Sequence, residues 1–470
     1  MLVLHSKECV NTGAYNTTSK EQLQMDLLSE IGDKDQLISA REENKVLRAR
    51  VEELKEKVKA LTVDNAALLA EVEMYRKEAA VPTFSSLALG KKTSENNSHS
   101  VNTVDFAVSG NGTYPTDPAV CLSNLHGSAN VLCTALDSTD TIIATGGADS
   151  AVSMTRWGSA LSPSPSAAHD TVQNAVKVAL TAPVIQLSFS KTDQLLAAGC
   201  MDGSVHLIGY STVMGKVQAW KMNINQGKPV KYSKYVKCIA WSPSENIVAS
   251  CSSDGTATLV KVACSTEIDL NRGMVSDDDD PLKHSVSLEE VKSFHFNGAV
   301  ETLCFAKNGS VLILYERDTS YLTYIDLNEG FTLSTFSVNG DVCGGYDGHV
   351  SFAILQLVLS PDGKYICAAT DTSRNIVLEV GSSNIVRDLY GHKNDNFSNP
   401  RVAWSQNGQY IFGNTQEDSS LIVWDVASSK IVQVLKGHEG QLRDMYSSKS
   451  SDIVVTASFD KTCRVWLNEM

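Results

Sequence analysis

Residues 119–470 of this 470-residue chain repeat one short pattern, and that repetition constrains the fold more than any other feature. Each unit is an apolar run followed by a tight turn with an aspartate, and the aspartates recur at intervals of 42 to 64 residues. Units of this length bury their apolar faces by packing on their neighbours. The pattern therefore predicts an all-β repeat domain. The seven aspartates are Asp149, Asp202, Asp254, Asp318, Asp371, Asp418 and Asp460.

The last unit carries the fullest motif. Gly437 and His438 precede it, Ser458 and Asp460 form its turn, and Trp466 ends it. This spacing resembles a WD40 repeat. In that family the four side chains at the positions of His438, Ser458, Asp460 and Trp466 share one hydrogen-bond network inside a blade. A buried aspartate needs such partners, because an unpaired buried charge costs several kcal/mol.

The resemblance implies a seven-bladed WD40 β-propeller over residues 119–470, with six or eight blades as alternatives. The middle blades are placed by their period, since only the last unit has the complete motif. The chain stops before the fourth strand of its last blade. We therefore expect residues 120–125, just before the first unit, to pair with that blade and close the ring, because open sheet edges invite aggregation.

A heptad pattern precedes the propeller and predicts a parallel coiled coil over residues 21–81. β-Branched residues at the first apolar position with leucine at the second favour two parallel strands, and Asn44 and Asn65 would fix the register. The alternative is a single amphipathic helix packed on the rest of the protein. Residues 1–20 are predicted to be disordered. Residues 82–118 are rich in Ser, Asn, Gly and Thr and are predicted to form a flexible linker. The predicted dimer seam is Leu37, Asn44, Leu47, Val51, Leu54, Val58, Leu61, Asn65, Leu68 and Val72.

Composition excludes several classes of function. The net charge of −14 disfavours nucleic-acid binding, although a lysine-tyrosine stretch at 228–237 leaves an RNA contact open. No apolar run reaches the roughly 20 residues that span a bilayer. No metal-ligand, phosphate-loop or nucleophile motif occurs, so we expect a non-enzymatic protein without a cofactor. The scattered cysteines indicate a reducing compartment: the cytoplasm, with the nucleus as alternative.

The candidate partner-binding residues come from the resemblance. In WD40 propellers, the residue before each turn aspartate and the residue at the start of each first strand lie on one face. Aromatic and arginine side chains are frequent interface anchors. The positions transferred to this sequence are Met201, Arg317, Glu417 and Phe459 from the turns, and Lys237, Glu301 and Arg443 from the strand starts.

The order of a coil and then a propeller is similar to that of the coiled-coil/WD40 autophagy adaptors. That similarity implies a dimeric scaffold whose propeller binds a protein or peptide. The alternatives are a substrate receptor subunit of a ubiquitin-ligase complex and an RNA-associated factor. A WD40 fold alone does not distinguish among them, because the fold hosts many functions.

Overall fold

The computed structural model describes residues 45–52, 55–57, 59, 114–157, 175–191, 194–213, 215–264, 285–340, 351–394 and 399–467. The chain divides into two compact units, residues 1–100 and 101–470. Residues 1–20, most of the predicted coil and most of the predicted linker lie outside the described residues, as do all seam residues except Leu47 and Val51.

In the first unit, residues 45–52, 55–57 and 59 are helical. Leu47 and Val51, two predicted seam residues, are 62% and 50% exposed. Every described helical residue is exposed, including Val46, which is not a seam residue. Pairing of two copies stays a prediction.

The second unit is all β. Its first fifteen strands are β1 (Asp117–Leu122), β2 (Val131–Leu136), β3 (Ile142–Gly147), β4 (Ala151–Arg156), β5 (Val176–Ala179), β6 (Val184–Phe189), β7 (Leu195–Cys200), β8 (Val205–Val213), β9 (Lys216–Lys221), β10 (Asn223–Gln226), β11 (Val236–Trp241), β12 (Ile247–Ser252), β13 (Thr256–Cys264), β14 (Ser285–His295) and β15 (Val300–Ala306). A 3-10 turn at Lys307–Gly309 follows β15. The others are β16 (Val311–Glu316), β17 (Tyr321–Asp326), β18 (Thr332–Ser337), β19 (Ile354–Leu359), β20 (Tyr365–Thr370), β21 (Asn375–Glu379), β22 (Ile385–Leu389), β23 (Val402–Trp404), β24 (Tyr410–Asn414), β25 (Leu421–Asp425), β26 (Lys430–Leu435), β27 (Leu442–Ser447), β28 (Val454–Ser458) and β29 (Cys463–Leu467).

The strands form seven sheets, which confirms the predicted seven-bladed propeller. Blades 1 to 6 begin with β2, β6, β11, β15, β19 and β23, and blade 7 has the order β1-β29-β28-β27. Each first strand contacts the first strands of both neighbouring blades, and β2 contacts β27. The seven first strands therefore surround a central channel, as in other propellers.

Apolar side chains of successive blades pack against each other and form the core. Most residues of the second strands are buried, and β7 is buried along its whole length, with small residues such as Ala197 and Ala198. Trp424 of blade 6 is fully buried and belongs to one cluster with Cys367 of blade 5. A sheet covered on both faces loses the alternation of polar and apolar residues, which explains the continuous apolar runs in the sequence.

The ring closes as predicted, by a strand that precedes the first blade. β1 pairs antiparallel with β29, from Asp117 opposite Leu467 to Leu122 opposite Cys463. The paired strand starts at Asp117, three residues before the predicted segment and inside the predicted linker. Leu122 is fully buried. The N-terminal strand thus supplies the fourth strand of blade 7 and covers the edge of β29.

Blade 3 has a fifth strand that the sequence pattern did not predict. β10, in the connection from blade 2, pairs in parallel with the outer strand β14. A parallel strand at this edge satisfies backbone groups that an outer strand otherwise exposes.

The hydrogen-bond network in blade 7 uses a different hydroxyl from the one predicted. His438 Nδ1 lies 2.7 Å from Asp460 Oδ2, and His438 Nε2 lies 2.7 Å from Thr456 Oγ1. Trp466 Nε1 donates to Thr456 Oγ1 at 2.8 Å. Ser458 instead donates to the carbonyl of Gly440 at 2.8 Å and accepts from the Asp460 N–H at 3.1 Å.

Two other blades retain part of this motif: His126 and Gly127 precede blade 1, and blade 6 has His392, Asp418 and Trp424. In blade 1, His126 Nδ1 lies 2.8 Å from Asp149 Oδ1, and Nε2 lies 3.0 Å from Thr145 Oγ1. In blade 6 the described contacts contain no such network, and Asp418 accepts from Ser420.

The reason for this difference lies in β24. Gly413 pairs with Ile422 just as Thr456 pairs with Arg464, so a glycine stands where blade 7 has its threonine. A Cβ at Gly413 would lie 2.7 Å from the Trp424 ring. The indole N–H donates to the Tyr390 carbonyl at 2.8 Å.

Candidate functional site

A register shift marks the start of the first strand in six of the seven blades. In each case the second residue of the strand is the extra one, and such bulges redirect a side chain. The predicted strand-start residues Lys237, Glu301 and Arg443 all occupy this position. The other three bulged residues, which the sequence did not single out, are Leu132, Ile185 and Leu355.

The turn residues lie at the same end of the channel as the bulges. The N–H of Met201 donates to the Pro183 carbonyl at 2.9 Å, just before the first strand of its blade. Phe459 makes the same contact with the Gln441 carbonyl at 3.0 Å, and Arg317 makes it with that of Ala299. We call the end of the propeller that carries these turns and bulges the channel face.

Glu417 does not take the same position as the other turn residues. The blade 6 turn is one residue longer, because Thr415 N–H bonds to Ser420 O where Ser458 N–H bonds to Thr462 O. Gln416 therefore corresponds to Phe459, and Glu417 is the additional residue. The Glu417 side chain is 59% exposed and pairs with Lys393 Nζ at 2.7 Å.

Three of the predicted residues form one ion-pair cluster between blades 3 and 4. Lys237 Nζ and Arg317 Nε each lie 2.7 Å from a different carboxylate oxygen of Glu301. The Glu301 side chain is only 2% exposed. A buried carboxylate needs such partners, since leaving it uncompensated is strongly destabilising. This Glu301 cluster therefore joins the two blades, and its cations are already paired.

Arg443 and Phe459 form a second contact, in blade 7. The Arg443 guanidinium carbon lies 4.7 Å from the centroid of the Phe459 ring, within the range of a cation–π interaction. Burial, and then the charge of Arg401, lower the pKa of Arg443 to about 10, while Asp444 opposes the shift. Arg401 Nε itself pairs with Asp444 at 3.2 Å.

The channel face carries an apolar arc next to a charged cluster. Going round the ring, Phe459 in blade 7 is followed by the bulged Leu132 in blade 1 and then by Ile185 and Met201 in blade 2. Met201 is 52% exposed. The Glu301 cluster follows in blades 3 and 4. An apolar arc and a charged arc therefore meet on one face.

The lysine-tyrosine stretch does not form a stacking surface for nucleic-acid bases. Lys231 pairs with Asp202 at 2.8 Å, and Lys237 belongs to the Glu301 cluster. Tyr232 is 6% exposed, and its hydroxyl donates to the Ser250 carbonyl. Tyr235 is 39% exposed. Single-strand binding needs open cations and several exposed rings, so these contacts weigh against an RNA surface here.

Within the described parts of the chain, no three His, Cys, Asp or Glu side chains approach closely enough to hold a metal ion. Over the same parts, no helix combines the length and apolar character of a bilayer-crossing segment. Burial lowers the pKa of His392 to about 4, which keeps this histidine neutral in the core.

Comparison with known proteins identifies the repeats. The family profile described as "WD domain, G-beta repeat" matches residues 176–208, 228–259 and 429–466. The chain is 30% identical over 86 residues to the mouse "Periodic tryptophan protein 2 homolog", covering 17% of this chain and 9% of that protein.

Two further relatives match longer stretches. The yeast "Guanine nucleotide-binding protein subunit beta" is 25% identical over 183 residues, which is 39% of this chain and 38% of that protein. The rice "Chromatin assembly factor 1 subunit FAS2 homolog" is 26% identical over 125 residues, 25% of this chain and 24% of that protein. The chain therefore spans well under half the length of each of these relatives.

Proposed function

This chain is a WD40-repeat protein with a seven-bladed β-propeller, and on that premise we propose that it is a non-enzymatic scaffold whose channel face binds a protein partner. Propellers of this family typically act as interaction platforms. Two of the relatives are named as subunits of larger assemblies, which supports the same role here.

One observation carries the proposal: the channel face exposes side chains that the core does not need. Met201 is 52% exposed on a turn, and Phe459 is half-buried beneath the Arg443 guanidinium. Aromatic and arginine side chains dominate binding hot spots, and methionine adapts to varied apolar surfaces. Phe459, Arg443 and Met201 are therefore the proposed anchors, and the Glu301 cluster is the proposed polar rim.

We further propose that the N-terminal helix pairs two copies of the chain. The heptad pattern of apolar residues supports pairing. Two propellers linked in this way bind a divalent partner with a gain in effective concentration, provided that the linkers span both sites. We place this scaffold in the cytoplasm or nucleus, where the unpaired cysteines of the described residues stay reduced.

A substrate receptor of a ubiquitin-ligase complex is the second candidate. Such a subunit needs two surfaces, one for the substrate and one for the rest of the ligase. The outer strand β26 offers a second surface, because Ile431, Val432 and Val434 are each about 40% exposed on it. This function uses the channel face in the same way and adds a second partner.

Affinity capture with the full-length chain tests the proposal. The chain with Phe459→Ala and Met201→Ala is compared with the wild type and with Leu333→Ala, which removes a 60% exposed side chain from the outer strand β18. We expect the channel-face variant to bind its partner more weakly, by about 1 kcal/mol or more of binding free energy per substituted residue. The control should bind it as the wild type does. Equal recovery by all three chains would place the partner elsewhere.

A further inference from the structure

Arg443 differs from the other cations predicted for the channel face. Lys237 and Arg317 are both paired with Glu301. Among the described residues, Arg443 has no carboxylate within ion-pair distance, and its buried Nε has no hydrogen-bond partner. Its guanidinium lies over the Phe459 ring instead, with the guanidinium carbon 4.7 Å from the ring centroid.

A shallow pocket opens beside Arg443, between blades 6 and 7. Asn399, Asn414, Thr415, Gln416, Gln441 and Arg443 line it. Asn414 Nδ2 donates to the Asn399 carbonyl at 2.9 Å and to the Leu442 carbonyl at 3.2 Å, so this wall is fixed. Gln441 is exposed at the rim, and no described residue hydrogen-bonds to its side-chain amide.

The charge around this pocket is not balanced. The negative charge of Asp444 acts on Arg443, but Arg401 Nε lies 3.2 Å from one Asp444 oxygen and the Thr134 N–H donates to the other at 3.0 Å. Among the described residues, Asp444 therefore forms its ion pair with Arg401 and none with Arg443. A half-buried guanidinium without a counter-charge is unfavourable, and an incoming anion relieves it.

We propose that this pocket binds a carboxylate group of the partner, with Arg443 as its charged anchor and Gln441 as a second donor. The contact with the Phe459 ring does not use the in-plane N–H groups of the guanidinium, and these suit the paired N–H···O bonds of a planar carboxylate. The pocket lining contains no acidic side chain that would repel such a group. The inference rests on the proposed function only for the source of the carboxylate, an acidic side chain or a chain terminus.

Arginine labelling of the full-length chain tests the site without any protein partner. Phenylglyoxal is added, and mass spectrometry measures the labelling rates of Arg443 and of Arg317 as an internal reference. Three short peptides compete: acetyl-Gly-Glu-Gly-amide, acetyl-Gly-Gly-Gly with a free terminus, and acetyl-Gly-Gln-Gly-amide. We expect one or both acidic peptides to slow labelling of Arg443 about tenfold at saturation. The glutamine peptide should have no effect, and Arg317 should not respond to any of the three.

A matched pair of variants checks the position of the site. Gln441→Glu places a carboxylate of the chain itself in the pocket, so labelling of Arg443 should be slow without a competitor. Gln226→Glu, on the exposed strand β10, adds the same charge far from the pocket and should leave the rate unchanged. The acidic peptide that protects Arg443 identifies the carboxylate source.

Two results would overturn the proposal. One is labelling of Arg443 that neither acidic peptide slows, and the other is stronger protection by inorganic phosphate than by either peptide. Both are independent of the capture experiment. If an acidic peptide protects Arg443 but the chain with Phe459→Ala and Met201→Ala still captures its partner, the result counts against the proposed function alone. If that variant loses its partner but no acidic peptide protects Arg443, the result counts against the carboxylate site alone.

Discussion

Replacing Thr456 by valine should destabilise blade 7 far more than its size change suggests. Thr456 is fully buried. Its hydroxyl oxygen accepts from Trp466 Nε1 at 2.8 Å and lies 2.7 Å from His438 Nε2. Asp460 lies 2.7 Å from His438 Nδ1, which assigns the ring proton to Nδ1 and makes Nε2 the acceptor of the Thr456 hydroxyl proton.

The magnitude follows from the groups left without partners. Valine has the same shape as threonine, so Thr456→Val opens no cavity, but it leaves the Trp466 N–H and His438 Nε2 buried and unsatisfied. Each such group costs about 1–3 kcal/mol, so we expect a loss of about 2–6 kcal/mol in the free energy of unfolding.

Blade 1 supplies the matched control. Thr145 bonds to His126 Nε2 at 3.0 Å, but Thr155 stands where blade 7 has its tryptophan. The Thr145 hydroxyl also lies 3.4 Å from the Ser153 carbonyl, but no tryptophan N–H depends on it, so we expect Thr145→Val to cost about 1–3 kcal/mol. Urea unfolding of the full-length chain, followed by far-UV circular dichroism, measures both. A Thr456→Val loss below 1 kcal/mol, or one smaller than that of Thr145→Val, would refute the assigned network.

Three further predictions concern closure, pH and pairing. Leu122→Ala should lower the free energy of unfolding by about 2–5 kcal/mol, measured by the same urea method, because it empties a buried site on the closing strand. Burial lowers the pKa of His392 from 6.5 to about 4, so stability present above pH 6.5 should fall as the pH drops towards 4. As the pH falls, His392 binds a proton in the unfolded chain before it does so in the folded chain, which lowers the free energy of unfolding by up to about 3 kcal/mol. Urea melts of His392→Phe should lack this part of the pH dependence. Leu47→Lys with Val51→Lys should convert a dimer into a monomer in sedimentation equilibrium, and a wild-type chain that is already monomeric would contradict the coil.

The blade count and the ring closure could be predicted because each blade repeats one local device. A turn aspartate follows an apolar strand in every unit, so its recurrence gave the seven blades. The missing fourth strand of the last blade implied a partner from before the first unit, which is β1. Both inferences need only chain order and the requirement that sheet edges are covered.

The choice between Thr456 and Ser458 could not be made from sequence. The two hydroxyls are two residues apart, so they lie on the same face of β28 and suit the motif equally. Which of them meets His438 depends on the register with β29. The structure settles it by pairing Thr456 with Arg464, next to the indole of Trp466.

The pairing of the predicted site residues was also beyond the sequence. The sequence motif treats Lys237 and Arg317 as independent positions, yet both pair with Glu301, and the Lys237 pair crosses the junction of blades 3 and 4. The blade 6 turn has one extra residue, so Gln416 occupies the position that was predicted for Glu417. The second position of the first strand recurs from unit to unit with the same spacing as the turns. Comparing that position between units could have revealed Leu132 and Ile185.

Hydrogen–deuterium exchange of the full-length chain, with and without its captured partner, tests the channel-face assignment most directly. Bound partners slow exchange where they cover exposed backbone. We expect slower exchange at the turns around Met201 and Phe459 and at the start of β27, with β18 and β26 unchanged. Protection confined to the outer strands, or to the N-terminal helix, would contradict the account.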